Sequence, residues 1–73
     1  MILVKLFAYF RTGRGKELEV EWHEGLTAGE IIDDLGIKRE DVSILLINGR
    51  HQTPETVLLD GQKLLLFPPV GGG

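Results

Sequence analysis

The chain has 73 residues, no cysteine and a net charge of −3, and its apolar content of 42% argues for a folded chain rather than a disordered one. That length holds one small domain, and the missing thiols exclude disulfides, thiolate metal sites, iron–sulfur clusters and a side-chain thiol nucleophile. The acidic balance argues against nucleic acid as a partner and, through complementary fields, favours a basic protein surface.

The opening Met1-Ile2-Leu3-Val4-Lys5-Leu6-Phe7 lacks the basic start and small-residue cleavage site of a signal peptide. No apolar run reaches membrane-spanning length, so no membrane partner is expected. A reducing cytoplasm is compatible with the lack of cysteine and is the expected location.

Residues 2–10 read as the first strand, with Ile2, Val4, Leu6, Ala8 and Phe10 on one face and Leu3, Lys5, Phe7, Tyr9 and Arg11 on the other. Thr12-Gly13-Arg14-Gly15-Lys16 reads as a turn. Leu18, Val20 and Trp22 then alternate with Glu17, Glu19 and Glu21, the cleanest period of two in the chain. Two alternating runs around a glycine-bearing gap predict a β-hairpin. Gly13-Arg14-Gly15-Lys16 is a poor phosphate loop: no Ser or Thr follows the lysine, and the upstream glycine is missing.

Thr27 and Glu30 have the spacing of a capping box, and Leu26 with Ile31 that of a hydrophobic staple. Ala28, Ile31, Ile32 and Leu35 make one apolar helical stripe, and Gly36 is placed to end the helix in a left-handed conformation. A helix of two to three turns is not stable alone, so it must pack on the sheet. Residues 37–42 connect, with room for a 3₁₀ turn. Ser43 to Ile47 reads as the third strand and Asn48-Gly49 as a tight turn. Arg50-His51-Gln52 is a short return strand closed off by Pro54, Asp60-Gly61 is another turn, and Gln62 to Phe67 is the last strand.

After Phe67 the chain reads Pro68-Pro69-Val70-Gly71-Gly72-Gly73. Proline has no N–H for a ladder and stops the sheet, and it pushes the residue before it toward extended geometry. Glycine has no Cβ, so a narrow tunnel or a nucleotide can approach the backbone closely. Residues 1–67 are therefore expected to form the domain and 68–73 a flexible arm, which fully extended reaches roughly 20 Å. The rest of the chain offers few chemical groups. His23 and His51 have no ligand spacing, Ser43 has no evident histidine–carboxylate partners, and no metal site is expected. No intrinsic cofactor is expected either.

The order β-β-α-β-β-β, with one helix over one face of a mixed sheet, belongs to the α+β class. Over its whole length the chain resembles the ubiquitin-like β-grasp sulfur carriers of the MoaD/ThiS type. The resemblance is carried by the capped helix Leu26 to Gly36, by Leu45-Leu46-Ile47-Asn48-Gly49, by Leu59-Asp60-Gly61 and above all by Phe67-Pro68-Pro69-Val70-Gly71-Gly72-Gly73. That ending is similar to the small subunit of molybdopterin synthase.

The resemblance implies a carrier rather than an enzyme. A ubiquitin-activating-type adenylyltransferase uses ATP to adenylate the carboxylate of Gly73. A sulfur donor converts it to a thiocarboxylate, and the sulfur passes to the large catalytic subunit of molybdopterin synthase or an equivalent acceptor. Carriers for thiamine, cysteine or tRNA thiolation remain open, as does a protein modifier joined to lysines through Gly73. The alternation of the strands puts Phe7, Leu46, Leu65 and Phe67 on the sheet face away from the helix, as an exposed apolar patch of the kind that marks a partner site. The resemblance implies partner contacts at Phe7, Phe67 and His51. The glycine before the final Gly-Gly is a departure that loosens the arm, and the chain is short for molybdopterin synthase small subunits.

Overall fold

The computed structural model describes residues 1–69, so the expectations placed on Val70, Gly71, Gly72 and Gly73 lie outside the described residues. β1 (Ile2–Leu6) and β2 (Glu17–Val20) form an antiparallel hairpin, α1 (Ala28–Asp34) follows, and then come β3 (Ile44–Ile47), β4 (Arg50–His51) and β5 (Lys63–Phe67). The strands lie in the order β2-β1-β5-β3-β4. β1 and β5 run parallel, and the other neighbours are antiparallel. A mixed five-stranded sheet with one helix is the β-grasp arrangement implied by the resemblance.

The alternation in the inner strands decides which face the helix covers. Ile2, Val4 and Leu6 of β1 and Leu64 and Leu66 of β5 are fully buried. The parallel register sets Val4 beside Leu64 and Leu6 beside Leu66, so the buried sets coincide across strands. Ala28, Ile31 and Ile32 of α1 join them in one apolar cluster. Burying side chains of this size stabilises by roughly 1.5–3 kcal/mol each, which is what holds so short a helix.

Thr27 and Gly36 build the helix ends as expected, although only the Thr27 half of the capping box forms. Thr27 Oγ1 accepts a hydrogen bond from the Glu30 N–H at 3.2 Å. The Glu30 carboxylate lies 3.7 Å from His23 Nε2, on the solvent side of the cap. At the other end Gly36 has φ +75°. Its N–H bonds the Asp33 carbonyl at 3.0 Å, and the Ile37 N–H bonds the Ile32 carbonyl at 3.1 Å, which together make a Schellman motif. Arg14 adds a long-range cap: its Nε donates to the Leu35 carbonyl at 2.9 Å and its Nη1 to the Phe10 carbonyl at 3.2 Å. The turn of the hairpin is thereby fastened to the helix C-terminus.

Gly29 lies under the far end of the Arg39 side chain. A Cβ there would meet the Arg39 guanidinium at 2.5 Å. That guanidinium makes a bidentate pair with Asp33, at 3.1 and 3.0 Å, and reaches Glu55 at 3.8 Å. Its Asp33 hydrogen bonds hold its pKa above the ordinary arginine value. Arg39 sits in the short 3₁₀ turn Arg39–Asp41, inside the connection where such a turn is expected.

Two strands are shorter than their periodicity suggests. The expected first strand of 2–10 stops at Leu6, and Ala8–Arg11 is a 3₁₀ turn entered through Ala8 at φ +52°. The ladder runs out on both sides. Phe7 N–H still bonds the Leu66 carbonyl at 3.2 Å, but β5 then reaches Pro68, and β2 begins only at Glu17, opposite Lys5. The chain satisfies itself locally instead, with the Phe10 N–H on the Phe7 carbonyl at 3.2 Å. Phe10 is buried as expected, whereas Ala8 is exposed. The second strand, expected to run through Trp22, ends at Val20. Trp22 turns inward and its indole N–H donates to the Leu58 carbonyl at 2.9 Å.

Candidate docking face and the root of the arm

The sheet face opposite α1 is assembled by register. Lys5 pairs with Leu65, Leu65 with Leu46 and Leu46 with His51, giving one row across four strands. Phe67 pairs with Ile44 in the next row, and Phe7 joins it from just beyond β1. The Phe7 and Phe67 rings stack with centroids 4.1 Å apart and planes 11° from parallel. Arg11 covers this end, its guanidinium carbon 5.2 Å from the Phe7 ring centroid and its Nε donating to the Leu6 carbonyl at 2.7 Å.

The structure therefore brings together Phe7, Leu46, Leu65, Phe67 and His51. His51 is exposed, but the four apolar residues are half-buried rather than fully exposed. They shelter one another, as large side chains on a pleated surface do. Ile44, 37% exposed, belongs to the same patch and was not singled out in the sequence. The signal was present, because Ile44 is two residues from Leu46 and thus in phase with it. Lys5, Lys63, Asn48, Gly49, Gly61 and Leu65 line a shallow depression at the other end of this face. Asn48 shapes its wall: the Asn48-Gly49 turn has φ of 48° and 83°, and Asn48 Oδ1 accepts from the Lys63 N–H at 2.8 Å.

The arm starts from a fixed root. The Phe67 carbonyl accepts from the Ser43 N–H at 2.8 Å, so the strand remains paired to its last residue. Pro68 is buried and Pro69 exposed. The first residue of the expected arm is thus packed on the domain. Among the described residues no group of three His, Asp or Glu could hold a metal ion. His23 lies on the helix side, its Nδ1 3.0 Å from the Glu24 carbonyl oxygen and its Nε2 3.7 Å from Glu30, whereas His51 is on β4. No helix among the described residues is long and apolar enough to cross a membrane. What the arrangement offers chemically is a surface for binding and a backbone leading away from it.

The family model for the ThiS family matches residues 4–73, nearly the whole chain. The chain belongs to the ThiS family. Solved structures agree with that placement. This ThiS-family chain is 28% identical to the putative molybdopterin converting factor subunit 1 of Pyrococcus furiosus, with a TM-score of 0.76 over 94% of this chain and 97% of that one. It is 25% identical to SAMP1 of Haloferax volcanii, with a TM-score of 0.77 over 99% of this chain and 98% of that one. At the level of fold it also matches a chain in the complex of subunits 1 and 2 of the molybdopterin-converting factor of Helicobacter pylori, at 22% identity and a TM-score of 0.64, covering 99% and 97%. The ThiS-family chain is thus a ubiquitin-like β-grasp protein of the MoaD/ThiS sulfur-carrier type, as its sequence implied.

Proposed function

We propose that this protein carries sulfur on the carboxyl group of Gly73 for the synthesis of molybdopterin, in a molybdenum or tungsten cofactor. The carboxylate attacks the α-phosphate of ATP in an activating adenylyltransferase, and pyrophosphate leaves. Hydrosulfide then attacks the acyl carbon, AMP leaves, and a thiocarboxylate and a proton remain. The loaded arm enters the large catalytic subunit of a molybdopterin synthase while the open sheet face docks on it. The protein is a substrate and small subunit in this scheme and catalyses nothing alone.

The observation that carries the reading is the sequence Phe67-Pro68-Pro69-Val70-Gly71-Gly72-Gly73, issuing from a strand whose last ring is stacked and whose last carbonyl is bonded. The likeness to a putative converting factor subunit 1 supports the molybdopterin pathway, and the H. pylori protein of the same fold stands in a complex with a subunit 2. A second reading, a modifier joined to lysines through Gly73, is favoured by the likeness to SAMP1, the small archaeal modifier protein 1 of H. volcanii. Intact mass after incubation with ATP, a cognate activating enzyme and a sulfide source separates them. Exchange of one oxygen for one sulfur at Gly73 is the expected result. Lysine-linked adducts without that exchange would favour the modifier, and an unchanged mass would overturn both.

A further inference from the structure

The net charge of −3 conceals a division between the two sides of the molecule. Glu30, Asp33 and Asp34 are exposed on α1, and Glu40 and Glu55 are exposed close to it in the fold. The open sheet face carries the opposite sign over most of its width. Lys5 and Lys63 flank the depression beside Leu65, and Arg11 stands at the stacked phenylalanines. Among the described residues, Glu17 and Glu19 reach this face along the β2 edge, opposite Lys5 and Leu3, and Asp60, next to Gly61 of the depression, is paired with the Met1 amino group at 2.6 Å. Glu17 is already engaged, 3.5 Å from Lys5 Nζ. Among the described residues no carboxylate lies within 4.0 Å of the Lys63 or Arg11 side-chain nitrogens.

We propose that the open face binds a protein partner whose patch is apolar at its centre and acidic at two ends, contrary to the basic partner that the net charge suggests. Its apolar side chains meet Phe7, Phe67, Leu65 and Leu46. Its carboxylates meet Lys5 and Lys63 at one end and Arg11 at the other. The four-residue step from Lys63 to Phe67 separates those ends by roughly 13 Å, which fits within one partner's share of an ordinary interface. A basic patch here would set like charges against Lys63 and Arg11 and is disfavoured. This inference rests on reading the face as the docking surface and adds the chemistry of what docks.

The test uses the full chain, isotope-labelled, and two synthetic peptides as probes. One alternates glutamate with leucine and phenylalanine; the other has lysine in place of each glutamate. The acidic peptide is expected to shift the amide signals of Lys5, Phe7, Lys63, Leu65 and Phe67. Its binding should weaken about tenfold in Lys63→Glu and further in Lys5→Glu/Lys63→Glu, the size of a single lost charge contact. It should also fade at roughly 1 M salt, where the screening length is about 3 Å. Lys38→Glu, near the helix, should bind as wild type does. Equal or tighter binding of the lysine peptide at this face overturns the proposal. So do shifts confined to the helix side, an unchanged affinity in Lys63→Glu, or no binding of either peptide. None of these readouts needs sulfur loading. A chain that shows the acidic-peptide shifts but never gains sulfur therefore breaks the carrier reading alone, and the reverse result breaks this one alone.

Discussion

The two faces of the sheet are made from the same strands and differ in almost every other respect. Under α1 the buried side chains are aliphatic apart from Phe10, Trp22 packs half-buried against them, and among the described residues no polar side chain is buried. On the open side, one residue along in each strand, stand half-buried aromatic and aliphatic groups, two lysines and a histidine. The covered face is optimised for removal from water. The open face keeps apolar surface half-exposed and charged, a state that costs solubility and is retained where a partner covers it. Substitutions on the two faces should therefore separate: one set unfolds the protein, and the other leaves it folded and unable to dock.

The largest expected effect lies beyond both faces. Deleting Gly72 and Gly73 together should abolish thiocarboxylate formation while leaving the thermal midpoint unchanged; a shifted midpoint would tie the arm to the domain. On the covered face, Leu64→Ala should cost about 3 kcal/mol in denaturant unfolding, a large share of the stability of so small a domain. On the open face, Phe67→Ala should weaken partner binding by about 2 kcal/mol, as a central aromatic anchor does, and cost about 1 kcal/mol of stability through the lost stack. Calorimetric titration and unfolding of the same variant measure the two, and a reversed ranking would dissolve the distinction between the faces. Thr27→Ala should cost about 1 kcal/mol by removing the helix cap, with docking unaltered. Ala8→Gly should stabilise by about 0.5 kcal/mol, since relief of the left-handed alanine slightly exceeds the added chain entropy.

Which parts of this were legible in the sequence follows from how far apart the interacting residues lie. Thr27, Gly36 and Asn48-Gly49 act on neighbours within a few positions, and their roles could be read directly. The core sets in β1 and β5 were legible because alternation is a property of one strand. The end of β1 was not, since it depends on where β5 meets Pro68, some sixty residues later. Arg14 caps a helix 21 positions away and Arg39 lies across Gly29, and no local pattern marks either contact. The Phe7–Phe67 stack needs the parallel pairing of the first and last strands, which no local pattern specifies. Phe7 and Phe67 could be placed on the right face, but their mutual shelter and the adjoining lysine-lined depression required the assembled sheet.

The parallel pairing of β1 with β5 also fixes the polarity of the domain. β1 and β5 begin at the same end of the sheet, and β5 finishes with Phe67 at the other, roughly 13 Å away over the four steps from Lys63. A fluorophore, affinity handle or fused protein placed ahead of Met1 is thus attached at the end of the sheet opposite Phe67, so such reagents leave the stacked ring pair uncrowded.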